Sequence, residues 1–201
     1  MPSIAYLADD EIRQVAESLL QQYSSALIPV PVPIEEIVEI HLRLEIIPFR
    51  AYKQRFSADG SISTDLTNIT VDEEAMNRYP SRYRFTLAHE VGHLLLHRDY
   101  IQSLAHDEVA DWKASLLGTT PTDRSRMEYQ ASQFAGCLLV PREPLATAFE
   151  EARQLLEKRG FDIAELSDIA MLTISGAIAK QFEVSTQVVS IRLKKEGIVT
   201  T

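Results

Sequence analysis

A single cysteine among 201 residues rules out an internal disulfide and fits a reducing, cytoplasmic setting. Basic residues are in deficit. The formal net charge is −9, which argues against broad nucleic-acid binding and permits a basic protein partner. The acidity is spread along the chain, as on an ordinary solvated surface. No apolar run reaches membrane-spanning length, so no membrane association is expected. Met1 to Gln22 has neither a basic start nor an apolar centre and carries Asp9, Asp10, Glu11 and Glu17, so it is not expected to be a signal peptide. Internal repeats and low-complexity tracts are also missing. What is present is 45% apolar content, enough for one sizeable core with a small appendage. Cys137 falls in an apolar helical run and is expected to pack rather than react.

Within this chain the most informative stretch is His89-Glu90-Val91-Gly92-His93, set in an apolar helical segment from Phe85 to Leu96. Residues four apart share one helix face, so His89 and His93 can present two imidazoles to one metal ion. Glu90, rotated by about 100°, can reach a metal-activated water as general base. Hydrogen-bonded core histidines are the bland alternative. That explains one such residue well and three at this spacing poorly, because buried His and Glu need partners.

A site of this kind needs a third protein ligand. His97 continues the stripe but lies about 12 Å of helix rise from His89, so it is expected to be structural or to support a ligand. Asp99 is spaced as in extended motifs that break the helix with glycine, but Leu96 stands at that position here. Glu128 edges the stripe of Ala131, Ala135 and Leu138 on a helix that Thr120-Pro121 starts and Pro141 ends. A glutamate near a helix N-terminus also suits the macrodipole. The ligand reading is favoured, since the metal otherwise lacks a third donor.

The run Phe-Thr-Leu-Ala-His-Glu-x-Gly-His-Leu-Leu-Leu-His, followed by Glu-x-x-Ala-x-x-Phe-Ala-x-x-Leu-Leu-x-Pro, resembles the ImmA/IrrE metallopeptidases. The resemblance extends upstream to Pro31-Val32-Pro33-Ile34-Glu35-Glu36-Ile37 and covers about Pro29 to Val199. It implies an α+β, zincin-like fold of gluzincin type, with a small sheet packed on the HExxH helix and a mainly helical C-terminal part. It implies Zn2+ held by His89, His93 and Glu128, with Glu90 as catalytic base. The implied function is zinc-dependent hydrolysis of a peptide bond in a protein substrate, either a helix-turn-helix transcriptional repressor or an antitoxin. The family often has asparagine four residues after the ligand glutamate. Ser132 stands there, which puts a supporting hydrogen bond in doubt. The polar stretch from about Asp99 to Arg126 is read as a gating loop or an insertion.

Three parts are expected: an N-terminal helix (1–28), a metallopeptidase core (29–160), and a C-terminal helical segment packed on the core (161–201). Asp9 to Ala26 reads as an amphipathic helix and Ile34 to His41 as a short one. Leu44 to Phe49, Gly60 to Thr64 and Asn68 to Val71 read as strands. Either Ile69-Thr70-Val71 or Ser61-Ile62-Ser63 is a candidate edge strand for substrate backbone, with ordinary sheet as the plain alternative.

Ile174 to Gln181 and Thr186 to Lys195 resemble a helix-turn-helix, which supports a rival reading: a DNA- or protein-binding regulator, or a toxin component, on a zincin scaffold. Three features argue against direct DNA binding. Glu183 replaces the usual turn glycine, Arg192, Lys194 and Lys195 sit at the helix C-terminus, and only Ser185, Thr186 and Gln187 are polar at its start. The oxyanion donor is left open among Tyr83, Tyr100, His106 and Tyr129. His41 is expected to be structural.

Overall fold

The computed structural model describes residues 4–24, 27–103, 120–160 and 168–199. Helix α1 (Asp9–Tyr23) opens with three acidic residues in its first turn, where the helix dipole favours them. Glu11 also accepts the Ala8 N–H at 2.7 Å. The helix buries Ile12, Ala16, Leu19 and Leu20 and stops short of the expected Ala26. After the proline-rich connection, α2 (Ile34–Glu36) runs on into a π-helical turn (Ile37–His41). Exposed His41 stands edge-on to Tyr23.

Three strands follow: β1 (Glu45–Phe49), β2 (Gly60–Ile62) and β3 (Asn68–Asp72), with α3 (Tyr52–Phe56) between the first two. Their order is β1-β3-β2, with β1 parallel and β2 antiparallel to β3. The central position of β3 removes Ile69-Thr70-Val71 as an edge strand, because both of its sides carry ladder bonds. On β2, Ser61 lies opposite Thr70, and the flanking bonds run from Ser63 N–H to Asn68 and from Asp72 N–H to Asp59. By antiparallel alternation, Gly60 and Ile62 then turn their backbone groups away from β3.

Asp72 ends β3 and caps α4 (Glu73–Arg78), its carboxylate accepting N–H groups of Ala75 and Lys53. Helix α5 (Pro80–Leu96) has proline in its first turn, where a missing N–H costs nothing. It crosses the sheet at β2 and β3 and makes the most extensive helix contact in the described chain with α7 (Pro121–Leu139). The short α6 (Arg98–Ser103) follows α5. Thr120 caps α7, and Met127, Ala131, Phe134, Ala135 and Leu138 are buried as their spacing predicts. Helices α8 (Arg142–Lys158), α9 (Asp168–Phe182) and α10 (Thr186–Lys195) complete the described chain. The protein is thus α+β: mostly helical, with one small sheet under the motif helix. None of the described helices is long and apolar enough to cross a membrane.

The approach of α5 to α7 depends on Gly92. A Cβ there would lie 3.1 Å from Ala131 Cα, from the Ala131 carbonyl oxygen and from Phe134 Cδ1. Gly60 serves β2 in the same way, since a Cβ would meet Thr86 Cγ2 at 2.6 Å and the Thr70 carbonyl at 2.8 Å. These two glycines let the edge strand and the second helix pack closely on the helix that carries HExxH.

The C-terminal hairpin docks through charge as well as apolar packing. Buried Arg192 donates to the Val140 carbonyl at 3.3 Å and pairs with Glu196, which Arg13 and Arg142 also approach. Lys195 donates to Asp9 on α1 and to Tyr129 on α7, both at 2.7 Å. Glu183 makes the expected turn at φ 54°, the left-handed region that favours glycine, with Arg84 3.6 Å from its carboxylate. The missing glycine therefore did not prevent the turn. Cys137 is buried, which pushes its thiol pKa up, in keeping with a packing role.

Candidate metal centre

One turn of α5 and the middle of α7 bring together the residues that the sequence singled out. His89 Nε2 and His93 Nε2 are 3.0 Å apart. Glu128 places one carboxylate oxygen 3.2 Å from His89 Nε2 and the other 3.7 Å from His93 Nε2. The three ligand atoms lie within 4.8 Å of one another. Two nitrogens bound tetrahedrally at about 2.0–2.1 Å from zinc would stand about 3.3 Å apart, so the imidazole pair is close to a ligating arrangement. The donor set, two imidazoles and a carboxylate, suits a divalent metal.

Glu128 sits two turns inside α7, beyond the first turn where the macrodipole acts. That removes the dipole as the reason for a carboxylate at this position. Its side chain is 43% exposed, whereas that of His93 is fully buried, so the site opens on the Glu128 side.

Glu90 is 1% exposed and accepts the Ile62 N–H at 3.1 Å. This outward-turned N–H of edge strand β2 fixes the carboxylate beside the imidazoles. Sequence reasoning proposed Ser61-Ile62-Ser63 as an edge, and the structure adds that the same strand anchors the candidate base.

A chain of hydrogen bonds sets the tautomer of His93. Gln130 Nε2 donates to the Ala5 carbonyl at 2.9 Å, which turns Gln130 Oε1 toward His97 Nε2 at 2.8 Å. An amide oxygen only accepts, so His97 Nε2 carries hydrogen. Burial holds the His97 pKa below its usual value. The neutral ring must then accept at Nδ1, 3.1 Å from His93 Nδ1. His93 therefore donates from Nδ1 and keeps the Nε2 lone pair for a metal. His97 thus orients His93, a candidate ligand. Gln130 had no sequence signal beyond its place on α7. Ser132 Oγ lies 3.4 Å from His89 Nδ1, at the weak end of hydrogen bonding, so the contact doubted from sequence is present but long.

A cleft of about 530 Å³ opens over His89, Glu90, Glu128 and Ser132, walled by Phe56 to Gly60 on one side and by Phe85 and Thr86 on another. Arg124, one turn before Glu128, also lines it. Among the described residues, Tyr83, Tyr100 and Tyr129 do not line the cleft. Tyr83 is buried, which with its hydrogen bond to Glu35 raises its pKa. Tyr129 is engaged with Asp9 and Lys195. Nearness in sequence to the motif does not bring these tyrosines to the cleft, whereas Arg124, which the sequence did not single out, lines it. Exposed Asp99 is not part of the ligand group. His106 and much of the 99–126 stretch lie outside the described residues.

Comparison with known proteins bears on the fold and the family. A solved structure of a Mycobacterium tuberculosis transcriptional regulator is similar over 94% of this chain, with 18% identity and a TM-score of 0.53. This chain spans 48% of the length of that one, and the likeness shows a shared fold. No curated protein matches the chain. The pattern of the peptidase family described as the IrrE N-terminal-like domain matches residues 75–194, from α4 through nearly all of α10. With that match spanning more than half of its length, the chain belongs to the IrrE N-terminal-like family of peptidases.

Proposed function

We propose that the protein is a cytoplasmic, zinc-dependent endopeptidase that cuts a protein substrate, a helix-turn-helix repressor or an antitoxin. The observation that carries the reading is the buried Glu90, tied to an edge strand and adjoining the His89, His93 and Glu128 cluster. A purely structural site needs no such base. The repressor or antitoxin substrate class is carried by the resemblance to the ImmA/IrrE proteins.

His89, His93 and Glu128 would hold the metal, with His97 and Gln130 keeping His93 in the ligating tautomer. A zinc ion held there would supply Lewis acidity, polarising the substrate carbonyl and making water easier to deprotonate. Glu90 takes the proton from the attacking water and delivers it to the leaving amine. The outer edge of β2 holds Glu90 in place through the Ile62 N–H. Arg124 brings positive charge to the cleft in which the oxyanion develops.

A regulator reading has the α9–α10 hairpin in its favour, together with the name of the similar solved structure. Against it, two of the three basic residues of α10 are engaged with other parts of the chain: Arg192 is buried and Lys195 bonds to α1 and α7.

The test is to incubate zinc-loaded wild type and Glu90→Gln with a proteome-derived peptide library and to map new termini by mass spectrometry. Cuts that vanish in Glu90→Gln and with a chelator are expected. Metal-independent cutting, or none, would overturn the reading.

A further inference from the structure

We propose that the groove between the starts of α5 and α10 is a specificity subsite that seats an apolar side chain of the peptide substrate. This rests on the peptidase reading. The groove encloses about 710 Å³ and its apolar walls are Tyr79, Pro80 and Phe85 on one side and Val188 and Ile191 on the other. Tyr79 and Ile191 are large side chains left 50% and 42% exposed. Apolar surface gathered in a concavity, rather than scattered singly, marks a binding surface.

Continuity identifies the occupant. Asp59, Phe85 and Thr86 line both this groove and the metal cleft, so a chain lying across His89 and Glu90 can continue into it. Phe85 precedes His89 by one helical turn, about 6 Å of rise. An extended peptide advances about 3.3 Å per residue. The apolar side chain therefore belongs within about two residues of the scissile bond.

The same placement gives the hairpin a role. Ser185 and Gln187, at the end of α10 that a DNA reader would turn to bases, line this groove instead, and Ser185 also caps the helix by accepting the Val188 N–H at 3.3 Å. The helix-turn-helix outline here builds a wall of the substrate channel.

The probes are fluorescein-labelled decapeptides of glycine and serine with one central Leu, Phe or Ser, and a positional-scanning peptide library. Binding is read by anisotropy on zinc-loaded Glu90→Gln, and cleavage on wild type. A preference of about tenfold for Leu or Phe over Ser is expected in binding. It should be mostly lost when Ile191→Asp is added, with the melting temperature held. Val188→Phe, which narrows the groove without adding charge, should shift the preference from Phe toward Leu. In cleavage, one position within two residues of the cut should favour apolar side chains in wild type and lose that preference in Ile191→Asp.

An apolar preference unchanged in both variants, or none in wild type, overturns the subsite. So does a wild-type dimer, seen by light scattering, that Ile191→Asp dissociates, since a second copy would then fill the groove. If peptides bind with the expected preference and lose it in Ile191→Asp but wild type cuts nothing, the peptidase reading fails while the groove keeps its occupant.

Discussion

Gly92→Ala inserts one methyl group where α5 crosses α7. The new Cβ would lie 3.1 Å from three atoms, where ordinary contact begins at 3.4 Å. Two of those atoms belong to the Ala131 backbone and cannot swing aside, so α7 itself must move by a few tenths of an ångström. Overpacking of this kind costs about 1–3 kcal/mol, and the better helix propensity of alanine returns about 1 kcal/mol. A net loss of about 0–2 kcal/mol is therefore expected in the metal-free protein.

The effect on metal should be larger than the effect on stability. Glu128 lies three residues before Ala131 on the same helix, so it travels with the displaced backbone. Metal–ligand distances tolerate only about ±0.2 Å. Zinc affinity, measured by competition with a chromogenic chelator, should fall by about tenfold or more, in the range seen when support of a ligand is removed. Urea unfolding with and without zinc separates the two terms. Unchanged affinity together with increased metal-free stability would refute the reasoning, because it would show slack between the helices.

Other perturbations address the surroundings of the site. His97→Phe removes the acceptor for His93 Nδ1–H, and zinc affinity should drop about 10–100-fold; wild-type affinity would dismiss the tautomer chain. Gly60→Ala would drive a methyl into Thr86 and the Thr70 carbonyl, with an expected cost of about 1–3 kcal/mol in urea unfolding; no cost would mean that β2 has room to move. For Asp72, burial pushes the carboxyl pKa up, but the Lys53, Ala75 and Glu74 N–H groups more than offset this and hold it below its ordinary 3.8. The unfolded chain then binds more protons in acid, so this stabilisation is present above about pH 4 and is lost as pH falls through the folded pKa. Asp72→Asn should flatten that acid limb in urea titrations, and an unchanged slope would contradict the assignment.

Local features were readable from the sequence because they depend on near neighbours. The HExxH turn, the Thr120-Pro121 start of α7, the burial spacing of Met127 to Leu138 and the paired C-terminal helices all follow from helical period and capping. The three strands emerged close to their expected bounds. Features set by distant partners were not readable. The β1-β3-β2 order, which decides the edge strand, depends on pairings across the sheet. Gln130 reaches His97 only because Gly92 lets two helices touch. Arg124 entered the cleft through its helical register with Glu128, while Tyr83, Tyr100 and Tyr129, candidates by sequence nearness alone, do not line it. At Glu183 the turn forms in the left-handed region without glycine, with Arg84 beside its carboxylate.

The most direct test is the zinc stoichiometry of purified wild type, His89→Ala and Glu128→Ala by elemental mass spectrometry, with affinity from chelator competition. One zinc per wild-type chain, lost or strongly weakened in both variants, is the expected result. Full zinc at wild-type affinity in Glu128→Ala would contradict the three-residue centre and place the third ligand elsewhere.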